Sequence, residues 1–244
     1  VETDPRRSDF PYPREPFLDH IRELRARLFR VFLWVALGAS AGWSFSGRIL
    51  DWIIAPVGSA VYINPVDPFL VRLKIALLAG LALSFPLVAW EGWRFVRPAL
   101  KSGERVPLVL FLPISFGLFL LGGWLGWRVL VPVALDFLMG FGGERLTPMI
   151  SIQNLVGFVG WLTVGCGILF QMPVVVVGLT RAGWVRPETL ARHWRVAVVG
   201  ILFLAAVVTP TPDCFNQFLV AIPVILLYAI SVILSFWMGR GRRQ

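Results

Sequence analysis

The sequence predicts an all-α, polytopic membrane protein of six spans, and three observations predict it. Of its 244 residues, 57% are hydrophobic and only 15% are charged, with a mean hydropathy of +0.75; a soluble domain is far more polar. Several apolar runs reach about 18 residues or more, the length a helix needs to cross a hydrocarbon core ~30 Å thick. The basic residues gather in the gaps between those runs, where they report topology rather than nucleic-acid binding, despite a net charge of +9.

Each element follows in order. Residues 1–16, VETDPRRSDFPYPREP, are polar and proline-rich and lack the pattern of a cleavable signal, so a flexible tail is expected. Phe17, Ile21, Leu24 and Leu28 then form one narrow stripe at helical spacing. That stripe is predicted to lie against the bilayer surface, with Glu23 on the opposite face. Span one covers 28–45. Residues 46–68 carry Pro56, Pro65 and Pro68, which predict an ordered loop with a short interfacial helix. Span two, 69–95, begins with Arg72 and Lys74, whose stems can reach the headgroups, and is expected to kink at SFP, 84–86. Span three, 107–138, is long enough to tilt or project, and Trp124, Trp127, Arg128 and Asp136 mark its end. Span four, 151–180, is bent by Pro173. The fifth apolar run covers only 196–208, roughly 20 Å of helix. TPTPD joins it to span six, 215–238, and the short pair is expected to face thinned lipid or a partner. One membrane domain, 17–238, and a basic tail, 239–244, complete the reading.

All Lys and Arg except Arg48, Arg72, Lys74, Arg128 and Arg145 fall on one side of this topology. The positive-inside rule makes that side cytoplasmic and places both termini there.

Enzymatic chemistry has no foothold: HExxH, GxSxG, paired carboxylates within a span and a Walker loop are all missing from the sequence. Cys166 and Cys214 lack partner spacing for a metal, and no metal or cofactor is expected. Four polar residues remain. Glu23 either pairs with Arg27 at i,i+4 or offers a carboxylate for capture of a guanidinium. Glu104, in KSGER, is either a solvated loop residue or a second carboxylate on the same face. Gln171 either satisfies backbone groups freed by Pro173 or forms a polar patch within the membrane. Asp213 stands at a natural N-cap position before span six.

HIRELRARL at 20–28, DPF at 67–69 followed by RLK, SFP at 84–86, RFVRPALKSGER at 94–105 and TPTPDCFNQ at 209–217 followed by AIP together resemble the TatC family. That family is the receptor subunit of the twin-arginine protein translocase, and the likeness covers nearly all of 17–238. The resemblance implies a glove-like scaffold of six helices with two short final ones, in the cytoplasmic membrane of a prokaryote. It implies binding of twin-arginine signal peptides on the cytoplasmic face. Export of folded proteins would draw on the proton-motive force, with TatA- and TatB-like single-span subunits and other TatC copies as partners. The signal-recognition carboxylates fall on Glu23 and Glu104, with Phe95 and Pro98 shaping the loop and Arg25 as structural support. Pro56 and Asp213 match positions on the outer side, and 196–208 matches the docking surface for a TatA- or TatB-like helix. Gln171 departs from the family, which commonly has Glu there. A secondary transporter is the competing expectation; it would show an internal repeat and an ionisable midplane residue.

Overall fold

In the computed structural model, the described residues are 16–96, 108–141, 149–181, 183–209, 211 and 213–240, with side chains over 22–94, 111–141, 149–181, 183–209, 211 and 213–237. The helices are α1 Pro16–Ile54, α2 Asp67–Val96, α3 Leu108–Leu125, α4 Val131–Gly140, α5 Ile152–Leu169, α6 Met172–Arg181, α7 Pro187–Arg192, α8 Trp194–Val208 and α9 Cys214–Arg240, with a π-helical turn, Gly126–Leu130, between α3 and α4. By length and composition five segments among the described residues can cross a membrane: Arg22–Ile54, Asp67–Arg94, Phe111–Gly140, Ile152–Arg181 and Cys214–Trp237. The shorter α8 is the sixth apolar helix.

Two expectations change. Phe17 to Leu28 do not form a separate surface helix, because α1 runs unbroken for 39 residues; RELRARLF consists almost wholly of good helix formers and contains no breaker. Nor do residues 46–54 belong to a loop: α1 carries through them and ends only before Pro56, which lacks the N–H to continue it. Asp67 closes the turn that follows, its Oδ2 accepting from the backbone N–H groups of Ile63 and Asn64 at 3.0 and 2.9 Å. Val61 exchanges backbone hydrogen bonds of 2.9 Å with Ile150 and Ile152, fixing this turn to the start of α5.

Span four, Ile152–Arg181, is interrupted just ahead of Pro173, the residue expected to bend it. Between α5 and α6 lie Phe170 and Gln171, the latter two residues ahead of Pro173 in α6. Small residues set the main packing. A Cβ on Gly80 would stand 2.4 Å from the backbone nitrogen of Ala39, and one on Gly38 would stand 2.5 Å from the carbonyl oxygen of Gly80. Helices α1 and α2 therefore touch backbone to backbone, as small residues permit in membranes. Gly122 and Gly126 do the same for α3 and its π turn against α5. The core is apolar and centred on Val156, Val159, Leu162, Ile201, Val220 and Val224.

Candidate functional site at the basic end of the bundle

The N-terminal part of α1, the C-terminal end of α2 and the start of α3 meet at one end of the bundle, and the charged residues of α1 divide there by register. Arg27 faces α2, while Arg25 faces away and is exposed. A buried guanidinium needs a counter-charge, and among the described residues Arg27 has two. Its Nε and Nη2 donate to Glu23 Oε1 in an i,i+4 pair. Its Nη1 stands 3.6 Å from Glu91 Oε2 and donates to the Glu91 carbonyl at 3.2 Å. Arg30 adds a contact from Nε to Glu91 Oε1 at 3.2 Å. The side chains of Arg27 and Glu91 are each 8% exposed, against 44% for Glu23 and 42% for Arg30. The cluster thus has a buried half and a half open to water.

Glu23 thus makes the i,i+4 pair with Arg27 that the sequence allowed, and its side chain stays 44% exposed. Glu104 and Pro98 lie outside the described residues, and of Phe95 only the backbone is described, in the last turn of α2. Sequence reasoning missed Glu91. The available signal was an acid near the end of an apolar span, which is costly unless paired, with Arg27 and Arg30 at the same basic end of the preceding span.

Beside the cluster a cavity of about 300 Å³ opens between α2, α3 and α6, lined by Phe85, Trp93, Phe111, Ser115, Gln171 and Trp184 among others. Nearly all of its wall is apolar. Trp93 and Phe111 stack at 4.5 Å, and Phe85 and Phe119 at 4.0 Å, which fixes the wall between α2 and α3. Gln171 supplies the polar point. Its Oε1 accepts from Ser115 Oγ at 2.7 Å and its Nε2 donates to the Ser115 carbonyl at 3.0 Å. It does not serve the backbone freed by Pro173; the amide joins α3 to the break between α5 and α6.

The remaining predicted residues stand at the opposite end. Asp213 caps α9, its Oδ1 accepting from Asn216 N–H at 2.7 Å and its Oδ2 from Asn216 Nδ2 at 2.9 Å. Burial pushes its carboxyl up, but these bonds and those from Thr211 and Phe215 outweigh it and hold the group below the usual carboxylate range. Pro56 follows α1 and lines a surface pocket beside Trp52 and Trp127.

Comparison with known proteins agrees with this architecture. Residues 19–223 match the family model described as Sec-independent protein translocase protein (TatC). The Koribacter versatilis protein of that name is 35% identical, covering 93% of this chain and 88% of its own. The Aquifex aeolicus protein is 32% identical, covering 94% and 98%, and Bacillus subtilis TatCd is 32% identical, covering 93% and 94%. A crystal structure of a twin-arginine translocase receptor, TatC, superposes with a TM-score of 0.79 at 33% identity, over 89% of this chain and 98% of that one. The same receptor type solved in DDM gives 0.80 at 32% identity, over 88% and 99%. With the family model matched over most of the chain, and a solved receptor superposing over 89% of it at 33% identity, the chain belongs to the TatC family.

Proposed function

We propose that this chain is the signal-peptide receptor and scaffold of a twin-arginine translocase, a multi-pass protein of a prokaryotic plasma membrane with both termini in the cytoplasm. The observation that carries the reading is the half-open charge cluster on a scaffold that superposes on a twin-arginine translocase receptor. Glu23 is accessible and already bound to a guanidinium, so its site has the shape and charge for another. An incoming arginine competes with Arg27, and Glu91 keeps Arg27 neutralised while Glu23 changes partner. Glu104 is assigned as the second carboxylate, with Phe95 and Pro98 shaping its loop and Arg25 supporting α1. Neighbouring cavity walls are apolar, which suits the hydrophobic stretch of a signal peptide following its arginines.

TatA- and TatB-like single-span subunits and further copies of this chain are the proposed partners. Support comes from α8, which is short and exposes Val196, Val199, Phe203 and Val207 along one face. Gln171 cannot titrate, so the proton-motive force would have to act elsewhere. The transporter alternative finds no support in the comparisons.

The test is capture of a signal peptide with paired arginines against the same peptide with paired lysines, by the full chain in detergent or vesicles. Preferential capture of the arginine peptide, lost in Glu23→Ala with Glu104→Ala, is expected. Equal capture of both peptides, or undiminished capture by the double variant, would overturn the proposal.

A further inference from the structure

The geometry points to a binding site for one anionic phospholipid on the lipid-facing side of α1, α2 and α5, at the end of the bundle opposite the charge cluster. Two adjoining hollows make it. The first is an apolar groove of about 290 Å³ whose lining includes Trp52, Ala79, Ala82, Trp127, Gly160 and Thr163. The second, of about 340 Å³, is lined by Trp52, Ala55, Pro56, Trp127, Arg128 and Pro132. Trp52 and Trp127 are walls of both, so groove and pocket are continuous.

The character of each half selects its occupant. The groove is apolar, with Ala79, Ala82 and Gly160 set among larger side chains such as Ile75 and Leu78, and its volume suits part of an acyl chain; a partner helix, 10–12 Å across with its side chains, is too wide for it. The upper pocket holds a single charged side chain, Arg128, exposed and without a carboxylate in the lining. Among the described residues no ion pair or hydrogen bond engages Arg128, whereas Arg27 and Arg30 at the other end are both paired. A guanidinium beside an apolar groove complements a phosphate joined to a hydrocarbon tail.

Depth agrees with this. From Leu108 at the start of α3 to Arg128 the rise is about 30 Å, one hydrocarbon thickness, which puts Arg128 at headgroup level beside a pair of tryptophans, where interfacial aromatics belong. The π-helical turn Gly126–Leu130 sets this arrangement. Its extra residue shifts the register between α3 and α4, so that Gly126 packs against Thr163 and Cys166 while Trp127 turns to the groove. Pro56 gains a local role: it ends α1 and walls the headgroup pocket without a side chain that could close it.

Native mass spectrometry of the detergent-purified full chain tests the site, counting the first lipid bound from equal amounts of phosphatidylglycerol and phosphatidylcholine with the same acyl chains. The expected preference for phosphatidylglycerol is about fivefold, the contribution of one basic side chain at an anionic lipid surface. Arg128→Gln should bring the ratio to about one, while Arg48→Gln, an exposed arginine on α1 outside both hollows, should leave it unchanged. Ala82→Leu and Ala82→Phe narrow the groove in two steps and should reduce binding of both lipids in that order, with unfolding temperature read alongside to show that each variant folds. Inorganic phosphate should not displace the lipid. Three results would each overturn the site: equal binding of the two lipids by the unaltered chain, the same loss in Arg48→Gln as in Arg128→Gln, or displacement by inorganic phosphate. Full lipid binding by folded Ala82→Phe would overturn it as well.

Discussion

Arg27 serves two carboxylates, and its burial makes the two unequal. Removing Glu91 leaves a buried guanidinium that, among the described residues, keeps the half-exposed Glu23 as its counter-ion, and breaking a buried pair costs about 3–5 kcal/mol. We expect Glu91→Leu to lower unfolding stability in detergent by about 3 kcal/mol, the low end because Arg30 is partly solvated. Glu91→Gln should cost less, since an amide oxygen still accepts from Arg27. Gln171 gives a second residue-scale prediction. Its amide accepts from the Ser115 hydroxyl and donates to the Ser115 carbonyl, so Gln171→Leu strands a buried hydroxyl at a cost of about 1–3 kcal/mol. Ser115→Ala added to Gln171→Leu should cost less than the two separate losses combined, because the variants remove the same bond. A carboxylate at 171 keeps the acceptor but turns an oxygen toward the Ser115 carbonyl. Gln171→Glu is therefore expected to be less stable at neutral pH than in acid, where its protonated form can donate. Unfolding curves across pH would show it.

At the scale of elements, helix contacts rest on absent side chains. Gly80→Ala brings a Cβ within 2.4–2.9 Å of Ala39, two of the three nearest atoms being backbone, so α1 and α2 must part to admit it. Gly117→Ala meets nothing within 4 Å and should be neutral or stabilising by up to about 1 kcal/mol through helix propensity. Thermal unfolding should fall for Gly80→Ala and hold or rise for Gly117→Ala. The start of α9 depends on Asp213 in another way. Its folded carboxyl lies below the unfolded value of ~3.9, so the stabilisation is complete above that value and disappears as pH falls through the folded one. Asp213→Ala should remove about 1 kcal/mol near neutral pH and show a weaker acid dependence than the unaltered chain. The cap was legible in the sequence, because Asp before an apolar run has one common use there. The extent of α1 was not, because SGRILDWII is too polar to read as a span, yet its residues continue a helix already nucleated by the membrane segment.

Over the whole molecule, number and order of the apolar helices were legible from hydrophobic length, and the partnership of Arg27 with Glu91 was not, because it depends on helices 64 residues apart meeting at one register. The half-site on Glu104, Phe95 and Pro98 rests on family motifs rather than on contacts. Helix α8 has 15 residues, or about 22 Å against a core of ~30 Å, while α2 has 30 residues and more than spans it. A bilayer that fits the long helices must thin around α8 and the start of α9, at a cost that grows with thickness. Gln217 Nε2 donates to the Leu202 carbonyl at 3.0 Å within the hairpin, while Trp161 Nε1 of α5 donates to the Val207 carbonyl at 3.3 Å and Ile201 and Ala205 pack into the core, which restrains its tilt. Unfolding stability in vesicles should therefore fall as acyl chains are lengthened from 14 to 20 carbons, by fractions of a kcal/mol per Å of added thickness. Phe203→Arg, placing a charge on the exposed face of α8, should steepen that fall, because thicker lipid puts the guanidinium farther from water. A single-span partner helix seated on Val199 and Phe203 would cover the face and flatten the dependence for the unaltered chain. Equal stability across the lipid series would show that α8 has no mismatch to relieve, and with it would go the physical reason for a partner at this face.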